Sequence, residues 1–382
     1  MSHKPFNILY IQGVDRLGGS IESLLGLLKG LDKERFNPVV LTSKKSEFTR
    51  ELKKLNIDTE IIKMGMWRKA KSFLRIPVSI FLIQKLIRKK RIDLVHSNTL
   101  WDNPYGVVPA NLRKIPSVCH LRNTFTKDKV KKYFLPRVDI IICVSDEIKR
   151  CIGRQEGERA ITIYNGVDIK RFNDSVNGGG IRREFNIDEK DFLIGVVGRV
   201  DRTKGQKLLI NSFASLAGKY ENIKLIIVGE SSMRERGYYL GLRKYCNTLK
   251  LNKKAIFTGH RKDIPEITAA LDLAVFPSLP SSNEGFGRSI IEAMAMKKPV
   301  IASDTGGVPE VVADGITGEL FLSGDQQKLT EAIERLMLDE KRRFTMGEKG
   351  YMRVIENFTI EKNVREIEKI YLGLLKTKNQ TK

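Results

Sequence analysis

Glu284 and Glu292, with seven residues between them, stand in the stretch Pro277–Val312, PSLPSSNEGFGRSIIEAMAMKKPVIASDTGGVPEVV. Glu284 lies in a Ser/Asn/Gly loop, and Glu292 in a run, Arg288–Met296, that reads as a helix. An offset of eight residues is a little over two helical turns, so both carboxylates can face one side. Gly285 and Gly287, flanking Phe286, let the backbone approach a ligand where a Cβ would obstruct it. The N–H groups of the helix's first turn lack partners within the helix, and its positive dipole end faces the loop, a seat for phosphate. A carboxylate beside an anion seat suits a ligand that also carries hydroxyls, since an ionised carboxylate only accepts hydrogen bonds. A sugar joined to a phosphate has both chemistries.

Arg199 and Lys204 fall in the loop after a strand, Phe192–Gly198, where flexible cations can close on a diphosphate. Basic residues in a turn ordinarily face solvent. Near a departing phosphate, preplaced cations stabilise developing charge more than they stabilise the ground state. Gly18-Gly19 precede the helical run Ile21–Leu28 and can offer backbone N–H groups to an anionic ligand. They are no dinucleotide fingerprint, because G-x-G-x-x-G is absent. His120 ends the strand Ser117–His120, with Arg122 and Asn123 just beyond it, and Gly229-Glu230 and Arg261 follow two further strands. His96 and His260 read as structural. No Asp-x-Asp occurs and no His/Cys cluster has metal spacing, so Arg199, Lys204 and helix termini are expected to neutralise a bound phosphate group without a metal ion.

The string EGFGRSIIE, followed by Pro299–Ser303, Gly306, Gly307, Pro309 and Glu310, resembles the signature of the retaining glycosyltransferases of family 4. These are the group 1 glycosyltransferases, of GT-B fold. Gly198–Gly205, GRVDRTKG, looks like the family's Gly-Arg…Lys-Gly motif. Asn165–Asp168 with Phe172 looks like its inter-domain string. The resemblance implies that Arg199 and Lys204 hold the donor's phosphates, Glu292 the ribose hydroxyls, and Glu284 the hydroxyls of the transferred sugar. It implies further that Gly18, Gly19, Gly285, Phe286 and Gly287 shape the donor site and that Gly229, Glu230 and Arg261 line the nucleobase. His120 would touch the transferred sugar, and Arg122 or Asn123 the acceptor. The family often places Asp directly after this histidine, whereas Leu121 stands here.

The catalytic set so implied is Glu284, His120, Arg199 and Lys204. The implied reaction moves a sugar from a nucleoside diphosphate, UDP among the carriers, to a hydroxyl of a glycan or lipid-linked acceptor, with retention of configuration. The setting is cell-envelope or polysaccharide biosynthesis, and no cofactor is needed beyond the donor. The rival readings are a nucleotide-sugar-binding subunit without turnover, and a GT-B epimerase or phosphorylase. Donor hydrolysis in acceptor-free protein separates catalyst from binding subunit.

Elements that could position these residues alternate along the chain, short apolar runs with amphipathic ones, as in α/β proteins with parallel strands. Seven strands are expected before residue 168, near Asn7–Ile11, Asn37–Leu41, Asp58–Ile62, Asp93–His96, Ser117–His120, Ile140–Val144 and Ala160–Tyr164. Six are expected after it, near Phe192–Gly198, Lys224–Gly229, Ala255–Thr258, Leu273–Phe276, Val300–Ala302 and Gly318–Phe321. The expected fold class is α/β, two doubly wound Rossmann-like domains facing across a cleft. The resemblance implies that residues 1–168 form the acceptor-binding domain and 169–357 the nucleotide-sugar-binding domain. The polar, triple-glycine stretch Phe172–Gly180 lies at the boundary. The last helix, Phe358–Leu375, is expected to pack back on the first domain.

At 382 residues the chain exceeds one hydrophobic core. Cys119, Cys143, Cys151 and Cys246 have neither disulfide nor zinc spacing and read as reduced core thiols. Met1–Pro5 is too short and polar for a signal peptide, and no apolar run has the length to span a bilayer. A cytoplasmic protein is expected. The net charge is +23; residues 1–170 carry 33 Lys/Arg against 17 Asp/Glu. Ten basic residues and no acidic one fall between Ile61 and Ile92: Lys63, Arg68, Lys69, Lys71, Arg75, Lys85, Arg88, Lys89, Lys90 and Arg91. Trp67, Phe73 and Phe81 are interleaved, as in helices that lie on membranes. An anionic membrane surface, at the inner face of the cell membrane, is therefore an expected partner. Nucleic acid is not, since no recognition motif accompanies the charge.

Overall fold

Strands with apolar side chains on both faces belong in parallel sheets covered by helices on either side. The first strand, β1 (Phe6–Gln12), shows this in the computed structural model, where Ile8, Leu9, Tyr10 and Ile11 are all fully buried. The structure describes residues 4–13, 18–67, 72, 74–126, 128–282 and 284–380. Val14–Leu17 of the first loop, and Arg68, Lys69, Lys71 and Phe73 of the basic segment, lie outside the described residues.

The chain divides into two compact units, Met1–Gly166 with Ile360–Lys382, and Val167–Thr359. In the first, β1 joins β2 (Phe36–Thr42), β3 (Asp58–Ile61), β4 (Leu94–Ser97), β5 (Ser117–Leu121), β6 (Ile140–Cys143) and β7 (Ala160–Thr162). The sheet order is β3-β2-β1-β4-β5-β6-β7, every pair parallel. Its helices are α1 (Gly19–Gly30), α2 (Glu47–Lys54), α3 (Arg75–Lys89), α4 (Asn103–Leu112), α5 (Asp128–Lys132), α6 (Asp146–Cys151) and α7 (Arg154–Gly157). One core holds α1 and α2 against one face of the sheet, and a second, with Ile83, Leu86, Ile87 and Tyr105, holds α3 and α4. Trp67 joins this second core, edge-on to Tyr105 at 5.7 Å and to Phe134 at 5.4 Å. That corrects its expected place on an exposed aromatic face.

The second unit carries β8 (Phe192–Val197), β9 (Ile223–Val228), β10 (Ala255–Gly259), β11 (Leu273–Phe276), β12 (Val300–Asp304) and β13 (Glu319–Leu322). Their order is β10-β9-β8-β11-β12-β13, again parallel throughout. Its helices are α8 (Gly179–Glu184), α9 (Gln206–Ala217), α10 (Arg236–Thr248), α11 (Ile264–Ala270), α12 (Arg288–Ala295), α13 (Val308–Val311), α14 (Gln326–Leu338) and α15 (Glu340–Asn357). In each unit the strand order reverses beside the first strand, between β1 and β4 and between β8 and β11. Ligands in doubly wound sheets bind beyond the carboxyl ends of the strands at such a reversal.

The two chain crossings lie side by side: Val167 bridges Thr359 in parallel and its N–H donates to the Phe358 carbonyl at 2.8 Å. The triple-glycine stretch is therefore no linker; Gly179 and Gly180 open α8 inside the second unit. The last helix, α16 (Ile360–Gln380), begins two residues later than its sequence suggests. Phe358 stays in the second unit, edge-on to Phe286 at 5.5 Å. Val364, Ile367, Tyr371 and Leu375, spaced to share one stripe, are buried in the first unit's core.

Candidate active site

At the reversal in the second unit, the loop after β8 meets the loop after β11. The Thr203 carbonyl accepts from Leu279 N–H at 2.7 Å. Gly205 has φ +70°, and a Cβ there would stand 1.7 Å from the Pro277 carbonyl oxygen, so only glycine lets the two loops close so tightly. The closure brings Lys204 to Glu284: Lys204 Nζ donates to Glu284 Oε2, and Ser278 Oγ donates to the same oxygen at 3.2 Å. From the other side, Gly307 N–H donates to the Glu284 carbonyl at 3.1 Å. Gly306, at φ +57°, would drive a Cβ to within 1.9 Å of that carbonyl. Glu284 is thus fixed at side chain and backbone by three loops.

Arg199 reaches outward, 61% exposed, while its Nε donates to Asp201 Oδ2 at 2.6 Å. Burial opposes ionisation of Asp201, but hydrogen bonds from Thr203 and Arg199 outweigh it and hold the carboxyl below its usual range. Asp201 therefore stays ionised and anchors the guanidinium. Gln206 Nε2 ties the Arg199 carbonyl at 3.0 Å.

Glu292 lies inside α12, where its Oε1 accepts from Arg288 Nε at 3.0 Å and Nη2 at 2.9 Å. The expected two-turn alignment with Glu284 does not arise, because α12 starts at Arg288, after Gly287 turns left-handed at φ +85°. Gly285 and Phe286 are buried beneath this turn. Gly229, at φ +134°, donates to the Gly259 carbonyl at 3.0 Å, and exposed Glu230 follows it. Arg261 is engaged within its own unit, by Glu184 at 2.6 and 2.8 Å and by Asp263 at 2.5 and 2.9 Å.

In the first unit the reversal gathers a polar cluster. His120 is buried at the end of β5, its ring centroid 5.5 Å from that of His96. Arg122 Nη2 lies 3.2 Å from His120 Nδ1 and 2.7 Å from Asn98 Oδ1, and Nη1 donates to Asn165 Oδ1 at 3.0 Å. Burial, and then the Arg122 charge, push the His120 pKa well below its usual value, so the ring is neutral. Its Nε2 is buried without a hydrogen-bond partner. His96, expected to be structural, accepts or donates at Nδ1 with Tyr371 of α16 at 2.5 Å. Gly18 is fully extended at the start of α1, where its carbonyl accepts from Ile21 and Glu22. Asn98 Nδ2 donates to Gln12 Oε1 at 2.5 Å and to the Ser20 carbonyl at 3.1 Å, so Asn98 braces this loop as well. Asn123 is exposed.

Three residues of the cluster are not apparent from the sequence. Asn98 carries no motif, and its one signal is its place at the end of β4 beside the reversal. Asn165 reads as a turn residue. Asp102 reads as nothing at all, yet its buried carboxylate accepts from Gly13 N–H at 3.0 Å and from Thr99 Oγ1 at 2.8 Å. Among the described residues no three His, Cys, Asp or Glu are grouped to hold a metal ion.

Two parallel Rossmann-like units, with a Lys–Glu pair at the reversal of one and a buried His–Arg cluster at the reversal of the other, place these groups where doubly wound sheets bind ligands. Comparison with known proteins gives the family. Residues 180–353 match the model of the glycosyl transferases group 1 and residues 17–171 that of glycosyltransferase family 4. The chain is 30% identical over 300 residues, 75% of this chain and 77% of the other, to an uncharacterized glycosyltransferase of Methanocaldococcus jannaschii. It is 27% identical to the Escherichia coli UDP-Gal:alpha-D-GlcNAc-diphosphoundecaprenol alpha-1,3-galactosyltransferase, covering 78% and 80% of the two chains. Its fold is similar to that of Anabaena HepE, solved with UDP and glucose, at a TM-score of 0.84 and 24% identity over 95% and 98% of the chains. The protein belongs to the group 1 glycosyltransferases.

Proposed function

We propose that the protein transfers a sugar from a nucleoside diphosphate, UDP foremost, to a hydroxyl of a glycan or lipid-linked acceptor in cell-envelope or polysaccharide biosynthesis. The observation that carries this reading is the Lys204–Glu284 pair: one cation and one carboxylate, locked together by Gly205 and Gly306 at the sheet reversal. A ligand with both phosphate and hydroxyls meets its two partners there. The UDP carrier is supported by the relatives, one solved with UDP and one named for UDP-galactose. The lipid-linked acceptor is supported by the second of these, whose named acceptor is a sugar on a polyprenyl diphosphate.

In this reading the second unit binds the donor and the first presents the acceptor. Arg199 and Lys204 hold the diphosphate, Glu292 the ribose diol, and Glu284 the transferred sugar. As the bond from the anomeric carbon to the phosphate oxygen breaks, the electron pair leaves with the phosphate, where Arg199 and Lys204 stabilise it. The acceptor oxygen bonds to the anomeric carbon on the same face, and its proton passes to the departing phosphate oxygen. Configuration is retained, and no metal ion is required. His120, neutral and with Nε2 unpartnered in the protein, offers that nitrogen to the sugar. The enzyme works in the cytoplasm, at the inner face of the membrane.

The test is mass spectrometry of donor hydrolysis, without acceptor, across a panel of UDP-, GDP- and ADP-sugars. Slow release of sugar from one donor is expected, and it should fall roughly ten- to a hundredfold in Lys204→Ala. Tight donor binding without any turnover, with or without acceptor extracts, would instead identify a binding subunit.

A further inference from the structure

The helix α3 has two apolar faces where a surface helix needs one. Ser79, Ile83, Leu86 and Ile87 are buried against the sheet. On the opposite side Leu74, Val78, Phe81 and Leu82 are 85%, 58%, 66% and 40% exposed. At 100° per residue these four fall within one stripe. Lys85, Arg88 and Lys89 continue the same stripe toward the C-terminus and are exposed, as is Arg75 beside its start. Scattered exposed apolar residues are ordinary, but a contiguous stripe marks a surface that something covers.

We propose that this outer face of α3 docks the protein on an anionic lipid surface, its apolar half entering the acyl boundary and its basic half lying on the headgroups. The charge selects this occupant. The segment from Ile61 to Ile92 holds ten basic residues and no acidic one, in a chain of net charge +23. A second copy would bring the same cations against these, because a two-fold interface pairs a surface with itself. A nucleic acid would satisfy the cations and leave Leu74, Val78 and Phe81 against water. An anionic bilayer satisfies both halves. Among the described residues no helix is long and apolar enough to cross a membrane, so the contact is peripheral. The inference rests on the reading that the acceptor is lipid-linked, since docking would bring the first unit to a substrate confined to the bilayer.

The full-length protein is to be sedimented with phosphatidylcholine vesicles containing or lacking phosphatidylglycerol, at low and high salt. Binding to the anionic vesicles is expected to fade as salt rises, because the Debye length falls from about 10 Å at 0.1 M to about 3 Å at 1 M. Substituting Lys85, Arg88 and Lys89 by Gln should weaken it roughly a hundredfold. Val78→Ser with Phe81→Ser should weaken it about tenfold or more, and both variants should keep wild-type donor hydrolysis, which also shows that they fold. Equal binding to both vesicle types, no binding to either, or wild-type binding by both variants would overturn the proposal. So would a wild-type dimer in sedimentation velocity that Phe81→Ser dissolves, which would assign the stripe to a second copy. Failure of donor hydrolysis in wild-type protein that binds vesicles would count against the glycosyltransfer reading alone.

Discussion

Arg122 Nη2 stands 3.2 Å from His120 Nδ1. A guanidinium has five donors and no acceptor, so Nδ1 must accept and the ring hydrogen must sit on Nε2. That nitrogen is buried and has no partner. Arg122, expected from the sequence to touch the acceptor, is braced by Asn98 and Asn165 and sets the tautomer of its neighbour. His120→Ala should lower the transfer rate about two- to tenfold, the worth of a neutral hydrogen bond of about 0.5–1.5 kcal/mol. Arg122→Met should leave protein folded but release the tautomer, visible as a change in the 15N shifts of the His120 ring. An unchanged ring spectrum in Arg122→Met would remove this role from Arg122.

Lys204→Ala and Arg199→Ala should each cost about 1.5–3 kcal/mol of transition-state stabilisation, a ten- to hundredfold loss in rate. Lys204→Ala also strips the partner from Glu284, so its effect should be the larger. Wild-type turnover in either variant, with an unchanged circular dichroism spectrum, would exclude that residue from the site.

The two glutamates should separate by calorimetry. Glu292→Gln should weaken binding of the free nucleoside diphosphate, because a ribose contact forms whether or not sugar is attached. Glu284→Gln should leave that affinity nearly unchanged while transfer falls. The reverse pattern would exchange their assignments.

The strands of the described residues are legible in the sequence: those buried on both faces are short apolar runs such as Ile8–Ile11 and Leu225–Val228, while the edge strand β3, with no buried residue, shows only as a short run ending in Ile61 and Ile62. The loops around Glu284 are legible because glycine carries information about backbone: Gly205, Gly287 and Gly306 occupy left-handed φ in the turns where the motif places them. The two-turn alignment of Glu284 with Glu292 fails because the helix begins only after Gly287. The Asn98–Arg122–Asn165 brace is invisible in sequence because its members are 24 and 43 residues apart and meet only when β4 to β7 line up in one sheet. Trp67 misleads for a related reason. Its neighbours in sequence are basic, while its neighbours in space are Tyr105 and Phe134.

Turnover should survive excess EDTA. Arg199 and Lys204, on the loop next to Glu284, supply positive charge where the donor's phosphates are expected. Activity that chelator abolishes and manganese or magnesium restores would show that these cations do not suffice.

Acid should destabilise the first unit with a slope that its buried groups predict. Burial, then Arg122, takes the His96 pKa down to about 3 and holds His120 well below its usual value. The unfolded chain binds these protons near pH 6.5, so their stabilisation is complete above that pH and is lost on acidification, about 1.4 kcal/mol per pH unit for each. Asp102 opposes them. Burial lifts its carboxyl to about 6, partly offset by hydrogen bonds from Thr99 and Gly13, so between pH 6 and 4 the folded state gains about 1.4 kcal/mol per unit by holding a proton. His96 and Asp102 oppose each other with about equal slopes, so the net fall on acidification from these three groups follows His120. Asp102→Asn should steepen the fall with acid, and His96→Gln should flatten it. Both tryptophans, Trp67 and Trp101, lie in the first unit, so urea unfolding followed by tryptophan fluorescence reports on it. Parallel pH slopes in wild type, Asp102→Asn and His96→Gln would show that these groups titrate in the fold as they do in water.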